Sequence, residues 1–232
     1  MRIRYMKKYM IMLTVMVLLS VVIDKLYAYD DQDTHPRVTG KAVGMSALNK
    51  YLKNNFGFAD GSETIINGQP IIKLLRIGST AEDNPMCRAT NHFHNPLLPW
   101  DQSQLKDDAG ITGGAIGWYC TNIEKWLPAN RKSAITWATG LTSNVGLPVK
   151  RINQDMGWDD ARRYFYSGLT AESNADRETN FPKTFQAVGQ VLHLLHDMAV
   201  PAHVRNDIEA RLNYIQEAIS LRFIVSSLFL RS

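Results

Sequence analysis

The chain has 232 residues, 45% hydrophobic and 21% charged, which excludes a wholly disordered or fibrous protein and leaves room for one domain. Two cysteines are too few to build a disulfide scaffold. A net charge of +4 raises a nucleic-acid or membrane-surface partner, a reading that depends on where the charges sit.

They sit at the start. Arg2, Arg4, Lys7 and Lys8 precede an apolar run over 9–23, and a short polar exit ends at Ala28. A basic start, an apolar core and a small residue at the cut describe a secretory signal peptide over 1–28. The run is shorter than the ~18–20 residues of a spanning helix. Export to the periplasm or the extracellular space is expected, with Tyr29 as the new amino terminus. The leader holds five of the 26 basic residues (Arg2, Arg4, Lys7, Lys8, Lys25) and one of the 22 acidic ones (Asp24). The remainder carries 21 of each sign and is formally neutral. In an oxidising compartment Cys87 and Cys120 either pair or remain two buried thiols.

Helical spacing dominates the chain beyond the leader. Over 36–54, Val38, Ala42, Met45, Leu48 and Leu52 recur near a 3.6 period, with Pro36 at a first turn. Gly57, Asp60, Gly61, Asn67, Gly68 and Pro70 mark a loop. An apolar segment spans 71–77, and 78–99 reads as a long loop with few turns of helix. Helices are expected over 122–127 and 131–141, with Trp126 and Trp137 as core residues. Another, over 158–171, is amphipathic through Trp158, Ala161, Phe165 and Leu169. Pro182 opens a helix to about residue 199 and Pro201 stops it. No clean strand pattern stands out. The expected fold is all-α, a single domain of packed helices. After Asp207 the chain changes character, and 208–232 reads as a divergent or truncated tail.

All six histidines lie in three short segments: His35, then His92 and His94, then His193, His196 and His203. On the helix opened by Pro182, one face carries Phe185, Val188, Leu192, Leu195 and Met198 as a core stripe. A second carries Gln186, Gly189, His193 and Asp197. His193 and Asp197 are four apart and project from the same side, so both can reach one metal ion. Gly189 leaves room on that face for something bulky. Pro201 swings His203 back toward it. Imidazole and carboxylate are the donors zinc takes in sites that keep a position open for water. The competing interpretation is a buried His/Asp pair. The other His-bearing acidic segments tip the balance to metal. His196 sits beside that face as a supporting donor or surface residue, and either His92 or His94 could ligate.

In chain order the set is Asp33-Thr34-His35, Glu82-Asp83, then His92-Phe93-His94-Asn95-Pro96, then His193…Asp197…Pro201-Ala202-His203. It resembles bacterial zinc-dependent phospholipase C, which shares its all-α fold with the fungal single-strand-specific zinc nucleases. The resemblance covers 29–207 and favours His92 over His94. It implies a zinc-binding cleft among helices holding up to three Zn2+ ions. The first would be held by Glu82 or Asp83, His92, His193 and Asp197. The second would take His35, a bridging Asp197 and the amine and carbonyl of Tyr29, where the family usually has tryptophan. The third would take His203 and a further His-x-x-x-Glu. No histidine follows His203, and Asp207 and Glu209 stand at other spacings.

The expected activity is therefore an exported zinc-dependent phosphodiesterase of phospholipase C type. It would act on phospholipid head groups or another phosphodiester, with transient contact at a membrane surface. Glu82 or Asp83 would serve as ligand or as general base for the attacking water. A nuclease of the same fold is the first alternative, with Trp100, Trp118 and Tyr119 as candidates for base stacking and a core role as the plainer reading of all three. A non-catalytic remnant of the fold is the second.

Overall fold

A computed structural model describes residues 33–105, 115–123, 131–142 and 148–205. The expected signal peptide, Tyr29, Trp126, Asp207, Glu209 and the tail lie outside them. Among the described residues the chain is mostly helical, with eight α-helices. These are α1 (Thr34–Met45), α2 (Leu48–Phe56), α3 (Ile71–Ala81), α4 (Ala115–Asn122), α5 (Ala134–Thr139), α6 (Trp158–Thr170), α7 (Asn174–Asp197) and α8 (Pro201–Arg205). Short 3-10 turns occur at Gly61–Glu63 and, over six residues, at Met86–Asn91. The strands are two residues each: β1 (Ile65–Ile66) pairs antiparallel with β2 (Gln69–Pro70). Asn67 (φ 47°) and Gly68 (φ 73°) make the turn between them, where left-handed backbone suits these two residue types.

The long helix α7 organises the rest. Ser173 caps it by accepting from the Asp176 amide at 3.1 Å. The helix therefore begins eight residues before Pro182, which lies in its interior. The first turns are solvent-exposed, and Phe181 anchors them by stacking edgewise toward Phe165 of α6, ring centroids 6.1 Å apart. Pro201 does not merely stop a helix. It starts α8, where a missing N–H costs nothing.

Helices α3 and α7 cross at contact. A Cβ on Gly78 would run into the carbonyl oxygen of Gln186, and one on Gly189 into the carbonyl oxygen of Leu75. Gly189 thus serves backbone approach and leaves no space for a bulky group, contrary to the sequence expectation. Around this crossing Val43, Leu52, Ile71, Leu74, Leu75 and Phe185 form one apolar core. A second cluster holds Cys87, Cys120, Trp137, Ala138 and Leu194, with Cys87 and Cys120 joined as a disulfide.

The structure revises several expected elements. The single helix over 36–54 is two, because Ser46 ends α1 and its hydroxyl oxygen accepts from the Leu48 amide at 3.2 Å. Val38, Ala42 and Met45 face solvent, Met45 with 88% of its surface exposed. The buried face of α1 is His35, Thr39, Gly40 and Val43 instead, because a polar interior awaits it. The segment over 71–77 belongs to a helix that continues through Ala81, into the expected loop. The helix over 131–141 shortens to α5, between the Ser133 cap and Gly140 in the left-handed region. The helix over 158–171 matches α6 to within a residue, though Trp158 and Leu169 are exposed. Leu195 of the expected core stripe on α7 is exposed as well.

Candidate metal centre

The glycine crossing sets the first ligand candidate. It brings the Ser79 carbonyl 2.6 Å from His193 Nδ1. A carbonyl only accepts, so Nδ1 carries the proton and Nε2 presents its lone pair inward. Such a carbonyl is how metal-binding histidines are commonly oriented. Four residues on, at the end of α7, Asp197 lies 3.3 Å from that Nε2 through its Oδ2. The turn into α8 returns His203, whose Nδ1 donates to the Asp197 carbonyl oxygen at 3.2 Å and stands 3.5 Å from Oδ1.

The other groups arrive from separate elements. His35, in the first turn of α1, stacks its ring on that of His193, centroids 3.7 Å apart. Its Nε2 is 3.6 Å from Asp197 Oδ1. His92 follows the second 3-10 turn and places Nδ1 2.8 Å from Asp197 Oδ2. Asp83, just past α3, spans two imidazoles: Oδ1 is 3.5 Å from His92 Nδ1 and Oδ2 is 3.5 Å from His193 Nε2.

Two overlapping donor sets result, His35–His193–Asp197 and Asp83–His92–His193, each with its ligand atoms within 4.8 Å of one another. Asp197 divides its oxygens between them. Oδ1 faces His35 and His203, and Oδ2 faces His92 and His193. Donors about 2.0–2.1 Å from a tetrahedral ion stand about 3.3–3.4 Å apart, so most of the measured separations have the spacing of ligands round a metal. Hydrogen-bond alignment is missing at the centre. His193 Nε2 and Asp197 Oδ2 are buried with no aligned hydrogen-bond partner among the described residues. Such atoms are costly to bury unless something else satisfies them. The donor set fits a divalent metal ion.

Charge distribution follows the same geometry. Burial and the neighbouring His193 push the His35 imidazole down to about 3, so it is neutral. Burial opposes charge on His92 too, but the carboxylates of Asp197 and Glu82 outweigh it and hold the imidazolium up to about 10. Burial likewise opposes charge on Asp197, yet His193 and His92 keep its carboxyl well below the usual range. A protonated His92 is thus the cation that offsets these carboxylates.

The two acidic candidates diverge. Asp83 has a side chain 22% exposed, against 5% or less for His35, His92, His193, Asp197 and His203, so the cluster meets solvent on the Asp83 side. Glu82 is fully buried, with Oε1 accepting from the Trp137 indole at 2.6 Å and Oε2 from Arg88 at 2.8 Å. His94 is buried and His196 half-buried, and burial lowers the pKa of each. Neither joins a donor set. Trp118 and Tyr119 are exposed and Trp100 half-buried, so none of the three is a core residue. Sequence reasoning missed Ser79, Arg88 and Gln190 altogether. A paired Gly78 and Gly189 was the available signal for the crossing that brings Ser79 to His193.

Comparison with known proteins finds no matching family model, no matching curated protein and no matching solved structure.

Proposed function

We propose that this chain is an exported zinc-dependent phosphodiester hydrolase of phospholipase C type. The division of the Asp197 carboxylate between two imidazole sets carries the reading, because a bridging carboxylate is what two adjacent ions require. Asp83, His92, His193 and Asp197 would hold one ion. His35 and Asp197 would hold the second, together with the amine and carbonyl of Tyr29. His203 joins no donor set among the described residues, so the reading rests on two ions.

Bound zinc supplies Lewis acidity, offsetting charge on phosphodiester oxygens and acidifying water toward a pKa of about 7. The chain's own residues do the rest. Asp83, on the solvent side of the cluster, would take the proton of the attacking water as the new O–P bond forms and return it to the leaving alcohol's oxygen as the P–O bond breaks. Ser79 holds His193 in one tautomer. The buried wall of His35 and His193 excludes water from the inner side. The Cys87–Cys120 disulfide supports export, since such bonds persist in oxidising compartments. The formal neutrality of the chain beyond the leader fits recognition by the ions rather than by a broad basic field.

The test is direct. The secreted form is purified, its zinc counted, and a chromogenic phosphodiester assayed before and after chelation. Zinc-dependent turnover is expected; neither zinc nor turnover would sink the enzyme reading and leave a non-catalytic remnant. Exposed Trp118 and Tyr119 favour a nuclease as the second reading, because exposed aromatic rings can stack bases. Phospholipid vesicles against single-stranded DNA as substrates separate the two.

A further inference from the structure

Glu82 touches none of the groups that face the cluster except His92. Its two oxygens are already engaged, Oε1 by the Trp137 indole at 2.6 Å and Oε2 by Arg88 at 2.8 Å. Arg88 is itself tied down on every side. It donates to the Glu82 carbonyl at 3.1 Å, the Asn153 carbonyl at 2.8 Å, Gln154 Oε1 at 3.1 Å and Gln190 Oε1 at 2.9 Å. Its guanidinium also lies 5.2 Å from the Trp137 ring centroid. One buried cation therefore ties the end of α3, the second 3-10 turn, the loop before α6 and the middle of α7 to one carboxylate. Glu82, Arg88, Gln154 and Gln190 are all buried, and a buried ion pair is weak evidence for stability by itself. A positional role explains it better.

The His92 ring shows what is being positioned. Its Nδ1 faces Asp197 at 2.8 Å and Asp83 at 3.5 Å, while Nε2 faces Glu82 Oε1 at 3.6 Å. That last distance is a few tenths of an ångström beyond a hydrogen bond. We propose that Glu82, held by Arg88 and Trp137, is a positioning residue: it accepts the Nε2 proton of His92 and so dedicates Nδ1 to the metal. Carboxylates behind metal-binding histidines act this way, and losing one typically weakens metal binding 10–100-fold. Glu82 is then neither ligand nor base, and the ion belongs to Asp83. The inference rests on the metal reading above.

Two measurements test it. In nitrogen-labelled wild-type protein loaded with zinc, NMR of the His92 ring reports which nitrogen binds. Metal on Nδ1 with the proton on Nε2 is expected; metal on Nε2 overturns the proposal, and no variant is needed to see it. Zinc affinity by chelator competition is then compared in Glu82→Gln, where a 10–100-fold loss is expected with mixed His92 tautomers. Because Glu82→Gln leaves the Arg88 charge without its partner, the double variant Glu82→Leu with Arg88→Met removes both charges together and should show the same loss. Unchanged affinity in either folded variant overturns the proposal alone. Failure of the wild-type protein to take up zinc would overturn the metal reading and this one with it.

Discussion

Two adjacent carboxylates, Glu82 and Asp83, head into opposite kinds of environment. Around Glu82 the hydrogen bonds close: the indole and the guanidinium give each oxygen of the carboxylate a donor, and Gln154 and Gln190 in turn accept from that guanidinium. Around Asp83 and Asp197 they do not close, and buried imidazole nitrogens converge on carboxylate oxygens without aligned donors. Satisfied charge marks a scaffold, and unsatisfied charge at ligand spacing marks a place for a cation. Substitutions on either side put this contrast at risk.

The largest effect is expected at the open end of it. Asp197→Ala removes the carboxylate whose oxygens face His35 and His203 on one side and His92 and His193 on the other, and zinc content should fall to none by elemental analysis. His193→Ala should do nearly the same, since His193 belongs to both donor sets. Retained stoichiometric zinc in either variant would falsify the ligand assignment. Next comes the covalent tie beneath the closed end. Cys87 and Cys120 are 33 residues apart, and closing such a loop is worth about 3–4 kcal/mol through the unfolded chain. Cys87→Ser with Cys120→Ser should lower unfolding free energy by that amount in denaturant titrations. A loss under about 1 kcal/mol would mean the pair constrains little.

Much of this architecture is legible in the residue pattern. The all-α character follows from 3.6-residue spacing, and α6 falls where the pattern over 158–171 places it. The four-residue interval from His193 to Asp197 puts both on one side of α7, as helical geometry demands. Other features are hidden for physical reasons. Apolar spacing points Val38, Ala42 and Met45 inward on α1, but the helix buries His35 and Thr39 because its neighbours offer polar partners, including the Ser79 hydroxyl at 2.9 Å from Thr39. Pro182 suits a helix start because proline fits there, while the Ser173 cap upstream governs the real one. Glu82 and Asp83 cannot be told apart in sequence, since only the tertiary partners Arg88 and Trp137 separate them. Gly189 reads as space, yet backbone occupies that space.

A single methyl group probes the crossing. Gly189→Ala places it against the Leu75 carbonyl, with Ser79 backbone nitrogen only 2.9 Å away. The helices must part, and overpacking of this kind costs about 1–3 kcal/mol. Parting them also withdraws the Ser79 carbonyl from His193 Nδ1. Zinc affinity should therefore fall along with thermal stability, although the substituted residue contacts no ligand atom. Lost stability with wild-type affinity would show that the crossing supports the core and not the site.

The smallest effect is a proton. With its pKa raised to about 10, His92 is protonated in the metal-free protein at neutral pH. Its unfolded value is about 6.5, so the raised folded value stabilises the metal-free fold fully below about pH 6.5. That contribution is lost as pH rises through about 10. Metal uptake runs the other way, because a ligand nitrogen must shed its proton first. His35, lowered to about 3, is already neutral and adds no slope near neutrality. At pH 8, where an ordinary imidazole is neutral, zinc binding should thus release one proton traceable to His92. Apparent affinity should climb up to tenfold per pH unit until about pH 10. Calorimetry in buffers of different ionisation enthalpy counts the proton directly. Zinc-bound water can add a proton to both proteins, so the difference is decisive: equal release from wild type and His92→Gln would show that some other group carries the charge that offsets the open carboxylates.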